Sequence, residues 1–176
     1  VYLSTTQSEC QFDDVTLIAG TATPPPVVNN DLVDNGGFEA DFANWGRYGG
    51  ISSISTPGRN GAGKALQTSS FAWIQQDLPG TAFRGQPYTL SGYGRSATSG
   101  NTCSIGLLAV NALNEIVINI KLDFSATAWE QKTLRQDFPR GVAWAGIYTA
   151  SGATACFFDD ISLVPVPASP KYTLGE

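Results

Sequence analysis

Residues 155–164 read Ala-Cys-Phe-Phe-Asp-Asp-Ile-Ser-Leu-Val, an apolar run of strand formers broken by two adjacent carboxylates. Side chains alternate along a strand, so Asp159 and Asp160 cannot both avoid the side shared by their apolar neighbours. A charge at a core edge needs a partner or a metal. The competing reading is a solvated strand end, although an Asp doublet is unfavourable for strand formation there. The same pattern occurs once more. Setting Val1 against Ile147 aligns Tyr2 with Tyr148, Cys10 with Cys156 and Phe12 with Phe158. At the same constant offset Asp13 and Asp14 fall on Asp159 and Asp160, and Leu17 on Leu163. The sequence therefore reads as one complete unit preceded by the tail of an earlier copy.

That division sets the expected domain organisation. Residues 1–19 form the closing hairpin of the earlier unit, and 20–30, with Pro24, Pro25 and Pro26 in succession, form an extended spacer. The complete unit occupies 31–165, and a Pro-containing tail or linker follows over 166–176. Neighbouring domains of a longer chain are the expected covalent partners.

Within the unit, short alternating segments are separated by turn residues. Strands are expected at Ile51–Ile54, Phe71–Leu78, Pro87–Arg95, Thr102–Val110, Glu115–Asp123 and Trp129–Phe138. The two segments Val142–Tyr148 and Cys156–Val164 are expected to close the unit as a hairpin. Helical periodicity is missing, so the fold class is all-β, an antiparallel β-sandwich with jelly-roll order. Such an order lets the first and last segments meet, bringing Glu39 towards Asp159 and Asp160.

Composition narrows the function classes. The formal charge of −5 gives no reason to expect nucleic acid or an anionic membrane as partner. The absence of His removes the commonest neutral-pH acid–base group and the commonest zinc ligand. No apolar run approaches the length of a membrane span. Val1 opens inside a strand-like pattern without a basic flank, so no signal peptide is expected at this end. The glycine-rich run at 57–64 lacks Walker spacing, which argues against a nucleotide loop. Of three cysteines, Cys103 and Cys156 would pair within the complete unit, leaving Cys10 to the earlier copy. That pairing favours a secreted, extracellular protein, whereas three free thiols would suit the cytosol.

Strand alternation also selects candidate binding residues. Trp73 and Gln75 fall on the less apolar side of their strand, as do Tyr93 and Arg95 on theirs, and Trp144 joins them as a further aromatic. Rings of this kind suit the C–H face of a pyranose, while amides and guanidinium groups suit its hydroxyls. A glycosidase would need two carboxylates across a cleft. Glu115, Asp123, Glu130 and Asp137 exist, but strand order sets no two of them opposite each other.

The segments L-V-D-N-G-G-F-E at 32–39, Trp45, the stretch 63–66, P-Y-T-L-S-G-Y at 87–93 and F-F-D-D-I-S-L at 157–163 resemble the jelly-roll carbohydrate-binding modules appended to xylanases and glucanases. The resemblance spans about 31–164. It implies a β-sandwich that binds a polysaccharide or oligosaccharide without cleaving it. It also implies a structural calcium held by Glu39 and by Asp160, with Asp159 as the alternative, and by the loop 59–64 through carbonyls or the Asn60 side chain. The alternative function is a structural or adhesive extracellular repeat domain that binds no glycan.

Overall fold

The alternation in the sequence is realised strand by strand in the computed structural model, which describes residues 30–167. The hairpin expected over 1–19, nearly all of the spacer 20–30 and the tail beyond 167 lie outside the described residues. Two five-stranded antiparallel sheets face each other. The front sheet has the order β1 (Gly46–Tyr48), β4 (Trp73–Pro79), β9 (Val142–Ser151), β6 (Cys103–Asn111) and β7 (Ile116–Phe124). The back sheet has the order β2 (Ile51–Ser55), β3 (Ala65–Ser69), β10 (Cys156–Pro165), β5 (Pro87–Ser96) and β8 (Glu130–Asp137). This is the β-sandwich of jelly-roll type that the sequence leads one to expect.

Alternation decides which side chains meet between the sheets. In β4, Ile74, Gln76 and Leu78 point inward, while Trp73, Gln75 and Asp77 point out. In β5, Tyr88 and Leu90 face the core, while Tyr93 and Arg95 face out. Phe38, Leu66, Ile74, Leu90, Ile105, Leu107, Ile147, Phe158 and Leu163 are fully buried. Each contributes about 1.5–3 kcal/mol through removal from water. Phe83 and Phe138 stack at 4.3 Å beside Tyr88 and close one end of the core. Gln76 is the polar exception among the inward residues of β4. Its amide accepts from Asp34 N at 2.8 Å and donates to Asp34 O at 2.8 Å, pinning the leading segment to the front sheet.

The leading and last segments do meet. Leu32 N donates to Leu163 O at 3.0 Å, Leu163 N donates to Asp31 Oδ1 at 2.8 Å, and Ile161 N donates to Gly36 O at 3.0 Å. The expected closing hairpin does not form. β9 pairs with β4 and β6 in the front sheet, whereas β10 pairs with β3 and β5 in the back sheet. Residues 152–155 cross between the layers, held by Phe71 N donating to Gly152 O and Ala97 N donating to Ala155 O. A link this short suits either a hairpin or a crossing, and the cysteines fit the crossing. Cys103 on β6 and Cys156 on β10 are both fully buried and form a disulfide between the two sheets, with Cα atoms 5.6 Å apart.

The Asp doublet interrupts its strand as its composition demands. The pairing of β10 with β5 shifts register between Asp159 and Ser162, and Asp160 takes a positive φ of 48°. Asp159 stays in register with outward-facing Tyr93 and is buried by Arg59 of the loop 57–64, Asp160 is exposed at the bulge, and Ile161 and Leu163 return to the core.

Candidate functional site

The outward face of the front sheet carries a connected group of aromatic rings. Tyr48 on β1, Trp73 on β4 and Tyr148 on β9 lie in three adjacent strands, with ring centroids 5.8 Å and 6.0 Å apart. Tyr48 is 52% exposed and Trp73 45% exposed. Glycines under the rings set their posture. A Cβ on Gly106 of β6 would lie 2.1 Å from Cζ of Tyr148, and one on Gly146 would lie 2.7 Å from Cη2 of Trp144. Both rings therefore lie down across the sheet, where any larger residue would make them stand.

Two hollows flank this group. The more apolar, about 380 Å³, is lined by Phe71, Trp73, Leu108, Ile116, Asn119 and Tyr148. Phe71 stands at its rim, 73% exposed, on a turn where its own φ is +60°. A bulky residue in that conformation is uncommon and costs energy. The second hollow, about 360 Å³, is polar and lies beyond Tyr48, among Asp34, Asn44, Gln75 and Asp77. Gln75 Nε2 donates to Asp77 Oδ1 at 2.5 Å, and Ser104 Oγ donates to Asp123 Oδ1 at 2.6 Å further along the sheet. Burial, with Asp123 adding to it, pushes the Tyr148 phenol above its usual range, so it stays a neutral donor and acceptor. The arrangement offers flat apolar faces flanked by hydroxyl, amide and carboxylate groups.

The structure divides the candidate binding residues. Trp73, Gln75 and Trp144 share the front-sheet face, and Gln75 adjoins the Trp144 ring across Gly146. Tyr93 and Arg95 are on β5, so they face outward from the back sheet and cannot contribute to the same surface. Alternation gives the side of each strand but not which sheet the strand joins, so it groups residues from opposite faces of the sandwich. Tyr48, Phe71 and Tyr148 are additions that the structure makes to this face. The last is legible in hindsight, since it alternates with Trp144 along β9.

The expected metal ligands gather around the loop 57–64. Lys64 N donates to Glu39 Oε1 at 3.0 Å, and Arg59 N donates to Asp159 Oδ2 at 3.1 Å, so one loop touches both carboxylates. Gly63 leaves room for Glu39, whose Oε1 would lie 2.3 Å from a Cβ there. Asp159 is only 6% exposed; its carboxylate receives the backbone N–H groups of Arg59 and Asp160, and burial pushes its pKa up. Asp160 instead pairs with Arg59 at 2.5 Å, and Asn60 Oδ1 accepts from Arg59 Nη1 at 2.9 Å. Glu39 and Asp159 are thus both held by backbone N–H groups of the one loop, and they are the oxygen donors a hard cation would need there. Asp160 and Asn60 already have a cation in Arg59.

The four carboxylates considered for hydrolysis are dispersed. Asp123 is on the front sheet with Ser104, whereas Glu115 accepts from Asn111 in the β6–β7 turn. Glu130 and Asp137 lie at the two ends of β8, beside Lys132 and Arg135.

No family model and no curated protein matches the sequence. Solved structures do match the fold. A family 16 carbohydrate-binding module superposes with a TM-score of 0.65 at 20% identity, covering 76% of this chain and 99% of that one. A xylan-binding domain of family 22 gives 0.59 at 16% identity, covering 73% and 90%. The Clostridium thermocellum endo-1,4-β-D-xylanase containing a family 22 module, complexed with xylohexaose, gives 0.63 at 16%, covering 78% of this chain but 29% of that one. The enzymatically active domain of bacteriophage CBA120 tailspike protein 4 gives 0.58 at 12%, and the chain spans 22% of its length. The fold is that of the jelly-roll carbohydrate-binding modules.

Proposed function

We propose that the chain is a noncatalytic carbohydrate-binding module that holds a polysaccharide or oligosaccharide along the outward face of its front sheet. The observation that carries this reading is the exposed Tyr48–Trp73–Tyr148 group, with both hollows open beside it. Sugar rings stack on Trp73 and Tyr148 by their C–H faces. Gln75, Asp77 and Asn119 exchange hydrogen bonds with hydroxyls, directly or through water. Each bond replaces one to water, so affinity is modest and comes from several rings together. The inter-sheet disulfide supports a secreted setting. The sequence repeat supports attachment to neighbouring domains of a longer chain.

The reading includes a structural calcium, held by Glu39, Asp159 and carbonyls of the loop 57–64. An ion there adds to the charge that Arg59 already presents to the buried Asp159 carboxylate, and it ties the leading segment to β10. Asp160 and Asn60 act beside it by anchoring Arg59.

A glycan array with insoluble-polysaccharide pull-down, run on the wild type and Trp73→Ala, tests the function. Selective retention that the variant loses supports the module. Retention of neither protein on xylans, glucans, mannans, chitin and uronates would overturn it in favour of a structural or adhesive repeat.

A further inference from the structure

The outward face of the back sheet carries a second aromatic and cationic group. Arg95 on β5 pairs across the sheet with Phe157 on β10, and its guanidinium carbon lies 3.8 Å from the Phe157 ring centroid and 5.4 Å from that of Trp129. One register step away, the Arg59 guanidinium lies 3.7 Å over Tyr93. The two arginines differ in one respect. Arg59 is neutralised by Asp160 at 2.5 Å, whereas Arg95 has no carboxylate or other hydrogen-bond partner among the described residues. A guanidinium stacked on rings keeps its donor edge free, and a fork of that geometry matches a carboxylate. Burial lowers the Arg95 pKa, a sign that the charge has lost part of its water without gaining a counter-ion.

The surroundings of this charge suit a sugar. Gln67 of β3 lies beside Phe157, and Gln131 of β8 lies beside Tyr93, both pointing outward with Arg95. Amides and partly exposed rings thus flank the guanidinium. The front-sheet face is acidic among the described residues, with Asp77 and Asp123 exposed on it and Asp34 at its rim against Lys121. An acidic glycan would be disfavoured there.

We propose that Arg95, Trp129 and Phe157, with Gln67 and Gln131, form a second glycan site on the back sheet that takes a uronic acid residue of an acidic polysaccharide, its carboxylate on the Arg95 fork. The proposal rests on the carbohydrate-binding reading only for the kind of polymer, since the two sites lie on opposite faces and fail separately. The chain as a whole is anionic at −5, so unspecific attraction to a polyanion does not arise.

Affinity electrophoresis in polygalacturonate, in its fully methyl-esterified form and in poly-glutamate, at about 0.15 M salt, reads the site. The wild type is expected to be retarded by polygalacturonate alone. Arg95→Gln should weaken that retardation about tenfold, the loss of a charged hydrogen-bonded pair. Arg95→Lys should fall between them, because it keeps the charge and loses the fork. Trp73→Ala should be retarded like the wild type. Several results would overturn the proposal. These are no retardation of the wild type, equal retardation of Arg95→Gln, or equal retardation by the ester. Loss in Trp73→Ala would place the ligand on the front sheet, and equal retardation by poly-glutamate would show an acidic-peptide site instead.

Discussion

Gly106→Ala separates the posture of the Tyr148 ring from the stability of the fold. The new Cβ would lie 2.1 Å from Cζ and 2.5 Å from Oη of Tyr148, well inside contact distance, so something must move. The obstructing atoms belong to the free end of a surface side chain, and the ring swings up and off the sheet. Replacing Gly by Ala inside a strand favours the folded state by about 0.5–1 kcal/mol. Displacing the ring from its packed position offsets part of that gain, so the melting temperature should stay within about 3 °C of the wild type. Binding should suffer, because one aromatic face no longer lies parallel to the sugar. An aromatic contact of this kind contributes about 1 kcal/mol, which corresponds to an affinity loss of about fivefold. Isothermal titration with the oligosaccharide of the polymer retained in the pull-down measures it. In a Tyr148→Ala background the same substitution should have no further effect, since the two act through one ring. Unchanged affinity in Gly106→Ala, or a full additional loss in the double variant, would show that the glycine does not act through the Tyr148 ring.

The Cys103–Cys156 disulfide closes a loop with a sequence separation of 53, so the Cys103→Ala/Cys156→Ala variant should lose up to about 4 kcal/mol. A denaturant melt measures this, and an unchanged midpoint would contradict it. Chelation should lower the melting temperature, and calcium should restore it by up to about 2.7 kcal/mol at about one hundred times its dissociation constant. A melt indifferent to both would remove the calcium. Burial raises the pKa of both Tyr88 and Tyr148 above 10.0, so above that pH the folded state holds protons that the unfolded chain has released. Stability should be level with respect to these groups below pH 10 and should fall as the pH rises through their folded values. Tyr148→Phe should show a shallower alkaline fall in thermal melts from pH 8 to 11, and a slope equal to that of the wild type would count against the assignment.

The sandwich was legible because its core is written at period two. Ile74, Gln76 and Leu78 against Trp73, Gln75 and Asp77 fixes the faces of β4 without any knowledge of its neighbours. Sheet membership is a long-range property that alternation does not encode. That is why β9 and β10 read as a hairpin in the sequence, and why Arg95 falls in one set with Trp73. The disulfide was legible through the repeat, which left Cys10 outside the complete unit and paired Cys103 with Cys156. The bulge at Asp160 was foreshadowed by the doublet, since two adjacent carboxylates cannot both follow the alternation. The binding face was half legible. Trp73 and Trp144 announce themselves, but Tyr48 comes from a three-residue edge strand with too few residues to show a period. The importance of Gly106 lies in a ring on the adjacent strand, so nothing in its own neighbourhood reveals it.

The four tryptophans report directly on whether a glycan lies on the front sheet. Trp73 and Trp144 are on the proposed surface, Trp129 stands just before β8 beside Arg95 on the opposite side of the sandwich, and buried Trp45 donates its indole N–H to Asn35 O at 3.2 Å. A nitrogen–proton correlation spectrum of the indole groups, titrated with xylohexaose, cellohexaose and mannohexaose in turn, resolves these positions. A bound neutral oligosaccharide should shift the Trp73 and Trp144 signals and leave Trp45 and Trp129 in place. A shift at Trp129 with Trp73 unmoved, or no shift at either front-sheet indole with any of the three, would contradict front-sheet binding.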